Sequence, residues 1–411
     1  MSSNNKTICT LDIGSNKVCC CVVSADVSKV NPKIKVLSYY PISSNAFKNG
    51  AINNIENLSH DIGSAIQSAE EMAGVKIDGV IVSFPSLMCE SGYTKINANL
   101  DGDMITEAYV SKLISKSFHR IVNEKEEVIH FLPVNYSINR QDGIKKPIGQ
   151  YADSLGIDIH YVKTNRSFKK NLESVIAKNR MKVSSFCNSA YASGLACLTE
   201  DEKEIGATVI DIGESSCDIA MFKGSCLMYS FSLSGGGLKI TTDIKSQLKC
   251  SLATAERLKI LKGALASYDN HGSIEYKEDG GVMNTMPSQV SNYDFIKIIK
   301  TTMGAILDGC NDSLKDNPFY QVSDSVIVIT GGVSSTNGIK DMAENIFDRS
   351  VRIGVSQDCT GMPSSYDNPT SVSSVGLVRY GLSTMTDKDM LSNKDKSKKM
   401  KKIVEWFKES L

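Results

Sequence analysis

The stretch Thr208-Val-Ile-Asp-Ile-Gly-Glu-Ser-Ser-Cys-Asp-Ile-Ala220 decides the fold of this chain. β-Branched and apolar residues lead up to Asp211, the chain must turn at Gly213, and apolar residues resume at Ile219. This pattern predicts a strand, a tight turn and a second strand, with Asp211 at the edge of the turn.

The same pattern occurs near the N-terminus, in Thr7-Ile-Cys-Thr-Leu-Asp-Ile-Gly-Ser-Asn-Lys-Val18. Asp12 and Gly14 occupy the same positions in this pattern as Asp211 and Gly213 do in the later stretch. One such hairpin in each half of the chain predicts a duplicated architecture in which two carboxylates face a shared ligand.

The composition describes an ordinary soluble protein with more than one module. A length of 411 residues favours two or more modules of about 100–200 residues each. Hydrophobic residues make up 41% of the chain, and 46 basic residues balance 46 acidic ones. This balance excludes a general attraction to nucleic acid, so we expect no nucleic-acid partner.

The cysteines and histidines predict no metal site. The 12 cysteines contain no Cys-x-x-Cys pair, and Cys19, Cys20 and Cys21 lie in apolar surroundings, as expected of free thiols in a reducing compartment. The five histidines are widely separated and are expected to be core or surface residues.

The start lacks the apolar core of a signal peptide, and no apolar run approaches the ~20 residues of a membrane span. We therefore expect a cytosolic protein.

The first half predicts a β/α domain interrupted by a small module. Its core elements are a hairpin over 7–23, a strand over 34–40, a helix over 57–73 that Gly74 ends, and a strand over 79–84. The inserted module has a helix near 107–120 and strands over 127–138 and 156–162. A helix over 167–179 and the Ala-rich segment 188–198 return to the core, and the charged residues 199–204 predict a loop.

The second half repeats this plan. It predicts the hairpin 208–220, a third strand ending near 234, helices over 239–249 and 254–262, an irregular segment to 300, a strand over 325–330 and a helix over 338–347. After Gly381 the chain is polar and poor in residues that could be buried, so order is expected to fail there.

These elements divide the chain into six segments. They are a first core (1–84 and 167–200), an inserted α+β subdomain (85–166), a second core (201–243 and 301–382), a smaller subdomain (244–300), a flexible linker (383–398) and an amphipathic helix (399–411).

The two hairpins have the chemistry of a phosphate site. An Asp at the edge of a turn can hold Mg²⁺ through water, and backbone N–H groups of a Gly-containing turn can bond to phosphate oxygens. Gly331 and Gly332 follow a predicted strand and would let a nucleoside lie against bare backbone. Each motif alone could be merely a tight turn, but the three in this order favour a nucleotide site. The candidate residues in the two turns are Asp12, Gly14, Ser15, Asn16, Lys17, Asp211, Gly213, Glu214, Ser215 and Ser216.

This order of hairpin, hairpin, helix and Thr-Gly-Gly is similar to the plan of actin-like ATPases, which sugar kinases and Hsp70 chaperones share. Finer marks resemble the FtsA family of bacterial cell-division proteins. They are Pro133-Val-Asn-Tyr-Ser-Ile138, Gly143-Ile-Lys-Lys-Pro-Ile-Gly149, Leu198-Thr-Glu-Asp-Glu202, Val351-Arg-Ile-Gly354 and the C-terminal helix. The resemblance covers nearly the whole chain and is most specific over 133–149.

The resemblance implies an α/β, actin-like (ribonuclease H-like) two-domain fold with an inserted α+β subdomain and a C-terminal amphipathic helix. It also implies ATP between the halves, with Mg²⁺ held through water by Asp12 and Asp211. Ala255-Glu256-Arg-Leu-Lys259 matches a family helix, which implies that Glu256 and Lys259 contact the adenosine. Alternatively, these two form a solvated ion pair at i,i+3. The glycines that would line the nucleotide are Gly236, Gly237, Gly331 and Gly332.

One turn departs from the family pattern. Related sequences carry Asp-Ile-Gly-Gly-Gly-Thr-x-Asp, whereas Glu214, Ser215 and Ser216 stand here in place of Gly-Gly-Thr. Glu214 could hold Mg²⁺ or orient water, or it could repel the phosphates, and Ser215 would be strained if the turn needs a positive φ. We therefore predict Mg·ATP binding with slow turnover at most.

The C-terminal segment predicts a helix that lies on a membrane surface. At 100° per residue its apolar side chains fall within about 100° of arc, with Trp406 at one edge and lysines on the far side or flanks. From 384 to 411 there are eight Lys and five acidic residues, a net +3 that favours anionic lipid. Docking on a partner or on the chain's own domain is the alternative. The membrane-facing residues are Met400, Ile403, Val404, Trp406, Phe407 and Leu411, flanked by Lys401, Lys402 and Lys408.

The resemblance further implies partners and a location. They are the C-terminal tail of the tubulin-like protein FtsZ, bound on 244–300, other copies of this chain in a filament, and later division proteins that contact 85–166. The location is the cytoplasmic face of the inner membrane at the division septum. The alternatives are a sugar kinase or exopolyphosphatase, which gains nothing from a tethered tail, and a pilus-assembly or rod-shape actin homologue. A chaperone is disfavoured because no β-rich domain follows residue 381.

Overall fold

The computed structural model describes residues 5–26, 32–265, 272–278, 287–320 and 325–385. The predicted amphipathic helix 399–411 and the predicted linker from residue 386 onward lie outside the described residues.

The first half of the chain alternates strands and helices. Its elements are β1 (Asn5–Ile13), β2 (Lys17–Asp26), β3 (Ile34–Ser43), β4 (Phe47–Lys48), β5 (Ala51–Ile52), α1 (Ile55–Ala73), β6 (Gly79–Phe84), β7 (Cys89–Asn99), α2 (Glu107–Ile121), β8 (Glu126–Ile138), β9 (Ser154–Asn165), α3 (Arg166–Ala177), β10 (Lys182–Asn188), α4 (Ser189–Cys197) and α5 (Glu200–Ile205).

The second half begins with the hairpin that decides the fold. Its elements are β11 (Ala207–Ile212), β12 (Ser216–Lys223), β13 (Cys226–Ser234), α6 (Gly237–Leu248), α7 (Leu252–Lys262), β14 (Ser273–Tyr276), β15 (Ser288–Ser291), α8 (Asn292–Lys315), β16 (Val326–Thr330), α9 (Ile339–Phe347), β17 (Val351–Ile353), β18 (Cys359–Thr360) and α10 (Val372–Met385).

Two mixed sheets repeat one arrangement. The first has the strand order β10-β6-β1-β2-β3-β18, and the second has the order β13-β12-β11-β16-β17. In the first sheet β1 pairs antiparallel with β2 and parallel with β6, while in the second β11 pairs antiparallel with β12 and parallel with β16. The predicted duplication of a hairpin beside a parallel strand is therefore present.

The inserted module is a small α+β unit, as predicted. Its sheet has the order β7-β9-β8 with antiparallel pairs, and α2 packs on it. Alternate residues of β9, Leu155, Ile157 and Ile159, are fully buried against Val110 and Ile114 of α2, which gives the module a core of its own.

Helices α4 and α10 lie between the two sheets. One core cluster contains Cys19 of the first sheet, Val209 of the second, and Ala192 and Val375 of the two helices. β18 pairs with β3, so the chain returns to the first sheet after β17. The predicted second core, 301–382, thus contains a final segment whose strand belongs to the first sheet.

Three helices differ from the predictions. The supposed charged loop 199–204 is wrong, because Thr199 and Glu202 form a capping box that begins α5, and Arg352 bonds to Glu202. The irregular segment predicted up to 300 is wrong for its described residues, which include the paired strands β14 and β15 and the start of the 24-residue α8, capped by Ser291. Order does not fail after Gly381, since α10 continues to Met385. Short polar caps override composition at the starts of α5 and α8.

Candidate functional site

The two predicted turns have the same internal hydrogen bond and contact each other at their tips. The N–H of Gly14 donates to the carbonyl of Lys17 at 2.9 Å, and the N–H of Gly213 donates to the carbonyl of Ser216 at 2.9 Å. The hydroxyl oxygens of Ser15 and Ser215, at the two tips, lie 2.5 Å apart. The structure therefore brings the predicted phosphate turns of both halves into direct contact.

The predicted strain at Ser215 is absent. Neither Glu214 nor Ser215 has a positive φ. A Cβ atom on Gly213 would lie 3.5 Å from the carbonyl oxygen of Ser216, an ordinary contact. The turn accommodates Glu214 and Ser215 because its backbone does not enter the left-handed region that favours glycine.

Asp12 and Asp211, which lie at the edges of the two turns and are called the lip carboxylates below, each accept a serine hydroxyl through one oxygen. The Ser373 hydroxyl donates to Oδ2 of Asp12, and the Ser193 hydroxyl donates to Oδ2 of Asp211 at 2.5 Å. Within the described ranges, these bonds leave Oδ1 of each carboxylate for another donor. Mg²⁺ prefers oxygen ligands, and its bound waters need hydrogen-bond acceptors. The remaining carboxylate oxygens of Asp12 and Asp211 are suitable for either role, so the residues present fit this ion.

Burial sets the charge of Asp211. The pKa of that carboxyl is raised to about 7, mainly by burial; the nearby charges of Asp218 and Asp12 also raise it, while the Ser193 hydroxyl and Lys17 lower it. A cation bound between the carboxylates would favour the ionised form. The contribution of Asp12 is consistent with the two carboxylates, which come from opposite halves, lying near each other.

Asp218 is a carboxylate that the sequence analysis left out. It lies directly across the hairpin from Asp211 and is 9% exposed. Its two oxygens accept the hydroxyls of Ser189 and Ser232, each at 2.6 Å, and burial raises its pKa. An acid in an otherwise apolar strand was the available signal, because such a group needs buried partners.

Glu214 is half-buried, and its carboxylate is only partly satisfied. The atom Oε2 is buried and has no hydrogen-bond partner among the described residues. Burial raises the pKa of Glu214, with Lys48 and Lys259 opposing and Glu256 adding to the shift. The side chain lines a cavity of about 400 Å³ beside the second turn. A carboxylate oxygen without a partner at this position would bind a cation or accept a hydrogen bond from water, and it would repel a phosphate.

Two of the predicted glycines are required by close backbone contact. Gly331 has a φ of 85°, and a Cβ atom there would overlap Oδ1 of Asp211. A Cβ atom on Gly236 would overlap the carbonyl oxygen of Gly213. Both segments thus pack directly on the second hairpin. A Cβ atom on Gly332 would approach only Thr370, at 3.8 Å, so that glycine borders open space.

Glu256 and Lys259 form the i,i+3 ion pair that was expected if they do not contact the adenosine. The pair lies next to the start of α6. Their charged atoms lie 2.8 Å apart, and the Lys259 side chain is 18% exposed. Lys259 also donates to the carbonyl of Gly237 at 3.1 Å and to the hydroxyl of Thr241 at 2.9 Å. The pair therefore braces the first turn of α6, next to the glycines predicted to line the nucleotide.

Lys17 is directed to a neighbouring segment. Its ammonium donates to the carbonyl of Thr370 at 2.7 Å and to the hydroxyl of Tyr39 at 3.3 Å. Asn16 accepts the N–H of Ser44 through its carbonyl at 2.9 Å. These contacts tie the first turn to the segment that precedes α10 and to β3 and the residue after it.

Most cysteines, and two of the three histidines of the inserted module, are core residues. Nine of the 12 cysteines are buried, and all are free thiols. His130 and His160 are buried, and burial lowers the pKa of each to about 3, which keeps them neutral. In the described part of the chain no group of three metal-binding side chains occurs.

Comparisons with known proteins agree with the resemblance. The family model described as Cell division protein FtsA matches residues 208–376, and the model described as SHS2 domain inserted in FTSA matches residues 88–163. The Cell division protein FtsA of Neisseria meningitidis serogroup B is 30% identical over 383 residues, covering 92% of this chain and 91% of that protein.

Solved structures share the fold at low sequence identity. One, of a PilM-PilN type IV pilus biogenesis complex, has a TM-score of 0.64 at 14% identity and covers 91% of this chain and 98% of that chain. MreB5 of Spiroplasma citri, solved with ADP, has a TM-score of 0.56 at 14% identity and covers 93% of this chain and 98% of that chain. The predicted actin-like α/β fold with an inserted α+β subdomain is confirmed.

Proposed function

The chain belongs to the FtsA family of cell-division proteins, and from this premise we propose that it binds Mg·ATP between its halves and links FtsZ filaments to the membrane. The observation that supports nucleotide binding most directly is the contact of the two turns at Ser15 and Ser215. Membership of this family disfavours the sugar-kinase, pilus-assembly and rod-shape alternatives.

The proposed nucleotide site uses the surfaces already described. The two turns would bind the phosphates, Asp12 and Asp211 would hold Mg²⁺ through its waters, and the segments at Gly236, Gly331 and Lys259 would border the nucleoside. Bound Mg²⁺ would neutralise phosphate charge. MreB5, which shares the fold, was solved with ADP.

Slow turnover at most is part of the proposal. Glu214 adds negative charge beside the phosphate turn, and the structure gives its Oε2 atom no donor among the described residues. Isothermal titration calorimetry with ATP, in Mg²⁺ and in EDTA, tests nucleotide binding on the purified protein. The absence of any affinity in Mg²⁺ would overturn the proposal, and fast ATP-dependent phosphorylation of a small molecule would favour the enzyme alternative.

Membrane attachment is proposed for the C-terminal segment 399–411. No helix in the described ranges is both long and apolar enough to cross a membrane. Partial burial of six apolar side chains, each contributing about 1.5–3 kcal/mol when fully buried, must offset the ordering of a short helix. One copy should therefore bind weakly and reversibly, and linking copies in a filament should raise the avidity strongly.

Replacing Trp406 by Glu should release the protein from anionic vesicles. A charge would enter the apolar edge of the helix, and we expect binding in co-sedimentation to fall about tenfold or more. Trp406→Phe is the control and should stay bound. Trp406 is the only tryptophan of the chain, so a blue shift of its fluorescence on adding vesicles reports insertion directly. Undiminished binding of the Glu variant would contradict the proposal.

A groove between α8 and α9 is the proposed site for the FtsZ tail. It has a volume of about 820 Å³ and overlaps the end of the predicted 244–300 region. Ile296, Met342 and Ile346 supply apolar lining, while Lys297 and Lys300 are exposed along α8. A peptide with apolar and acidic side chains has the chemistry that such a groove would recognise.

Replacing Lys300 by Glu should weaken binding of an FtsZ C-terminal peptide about three- to tenfold, since it reverses one of the two cationic side chains of the groove. Lys245→Glu is the matched control, because Lys245 is exposed on α6 outside the groove. Fluorescence anisotropy of a labelled peptide measures both. Equal weakening by the two variants would contradict the groove as the site.

The proposal places the protein on the cytoplasmic face of the inner membrane at the septum, as a peripheral protein. The 85–166 module would contact neighbouring copies in a filament or later division proteins. Reconstitution on vesicles tests the whole tether: the intact chain should recruit FtsZ to lipid, and a chain lacking 399–411 should not. Recruitment that survives the deletion would contradict it.

A further inference from the structure

Two serines outside the predicted motifs contact the two lip carboxylates. Ser193 on α4 donates to Asp211, and Ser373 in the first turn of α10 donates to Asp12. Ser193 is fully buried, so its hydroxyl has no access to water and is committed to this carboxylate. Ser374, beside Ser373, approaches the same oxygen of Asp12 at 3.4 Å.

Each of these hydrogen bonds joins opposite halves of the chain. Asp12 belongs to the first half and is bonded by α10, which comes from the second, 361 residues later. Asp211 belongs to the second half and is bonded by α4, which comes from the first. The exchange is reciprocal, so neither carboxylate is oriented by its own half alone.

The two helices are in backbone contact with each other. A Cβ atom on Gly376 of α10 would overlap the carbonyl group of Ala192 in α4. Ala192 precedes Ser193, and Gly376 lies three residues after Ser373, so the contact point and both hydroxyls lie within one turn of each helix. A shift of α4 against α10 would therefore move both serines relative to their carboxylates.

We propose that Ser193 and Ser373 are positioning residues for Mg·ATP, each holding one oxygen of a lip carboxylate so that the other oxygen faces the waters of the ion. This inference rests on the proposed nucleotide binding. The helix N-terminus beside Asp12 adds a favourable dipole, but the hydroxyl supplies the directional bond. The lip carboxylates are correctly oriented only while α4 and α10 remain packed.

The test compares ATP affinity in Mg²⁺ with ATP affinity in EDTA, by calorimetry on the full chain. Ser193→Ala and Ser373→Ala should each weaken binding about five- to tenfold in Mg²⁺ and leave binding in EDTA unchanged. Ser373→Thr keeps the hydroxyl at a half-buried position and should restore the affinity. Ser117→Ala is the control, because Ser117 is a buried serine of α2 whose hydroxyl has no partner among the described residues.

The outcomes separate the two proposals. If the unaltered chain does not bind Mg·ATP, the proposed function fails. If it binds and the alanine variants bind equally well, or lose the same affinity in EDTA as in Mg²⁺, the positioning role is overturned. Failure of Ser373→Thr to restore affinity would also overturn it for Ser373, since that variant retains the donor.

Discussion

Replacing Gly376 by alanine is expected to lower the free energy of unfolding by about 3 kcal/mol or more. The added Cβ atom would overlap the carbonyl group of Ala192 in α4. A flexible side chain could move aside, but these are backbone atoms of a helix that is packed against both sheets. Relief requires α4 and α10 to separate, which would open the core cluster that contains Val375 and Val378.

Gly309→Ala is the matched control for this prediction. Gly309 lies inside α8, and a Cβ atom there would meet nothing within 4 Å. Because alanine favours a helix over glycine by about 1 kcal/mol, this variant should be unchanged or more stable. Urea unfolding followed by circular dichroism measures both variants. A Gly376→Ala protein as stable as the Gly309→Ala protein would show that the two helices can separate at little cost.

Local patterns predicted the hairpins because their causes are local. The apolar runs around Asp12 and Asp211 and the glycine that follows each are neighbours in sequence, and the register of each hairpin follows from its turn. The hairpin strands β1 and β2, and β11 and β12, therefore agree closely with the sequence analysis. The same patterns placed Asp12 and Asp211 next to the two turns, near the ends of β1 and β11.

Contacts between the halves were not predictable in this way. The bonds of Ser193 and Ser373 join residues that no periodicity relates, and Gly376 looks like any other helix-weakening glycine in the sequence. Asp218 needed the strand register, since only the pairing with Asp211 places it at the site. In α5 the signal is local: the capping box of Thr199 and Glu202 stabilises a helix although the segment is highly charged.

The departure of the second turn from the family pattern has a local explanation and a longer-range consequence. Gly213 keeps the turn, and Glu214 and Ser215 adopt ordinary backbone angles, so the fold does not oppose these side chains. The consequence is electrostatic, because Glu214 adds a carboxylate to the second turn, with Glu256 nearby. Binding would then depend more on Mg²⁺ than in a turn of bare glycines.

Replacing Asp211 by Asn is expected to weaken Mg·ATP binding about 30-fold or more while stabilising the protein without nucleotide by about 1–2 kcal/mol. Asparagine removes the charge that would hold the waters of Mg²⁺, yet its amide oxygen can still accept the Ser193 hydroxyl. Burial raises the pKa of Asp211 from 3.8 to about 7, so ionising this group opposes folding. Opposite signs for binding and stability are typical of a functional carboxylate.

The pH dependence gives a further check on this variant. Between about pH 4 and pH 7 the folded protein keeps a proton on Asp211 that the unfolded chain has lost. The contribution of this group to the stability of the unaltered protein in EDTA therefore falls as the pH rises from about 4 to about 7. Above about pH 7 the contribution no longer changes. The Asn variant cannot titrate and should lack this part of the decline. Urea unfolding at pH 5 and pH 8 measures the difference.

Asp218→Asn is the control that separates burial from ligand binding. Burial raises the pKa of Asp218 as well, so this variant should also gain stability at neutral pH. Both oxygens of Asp218 accept serine hydroxyls, however, so its ATP affinity should stay within about twofold of the unaltered protein. An Asp211→Asn protein that binds Mg·ATP normally would remove Asp211 from the metal site, and equal losses in both variants would show that the effect is structural.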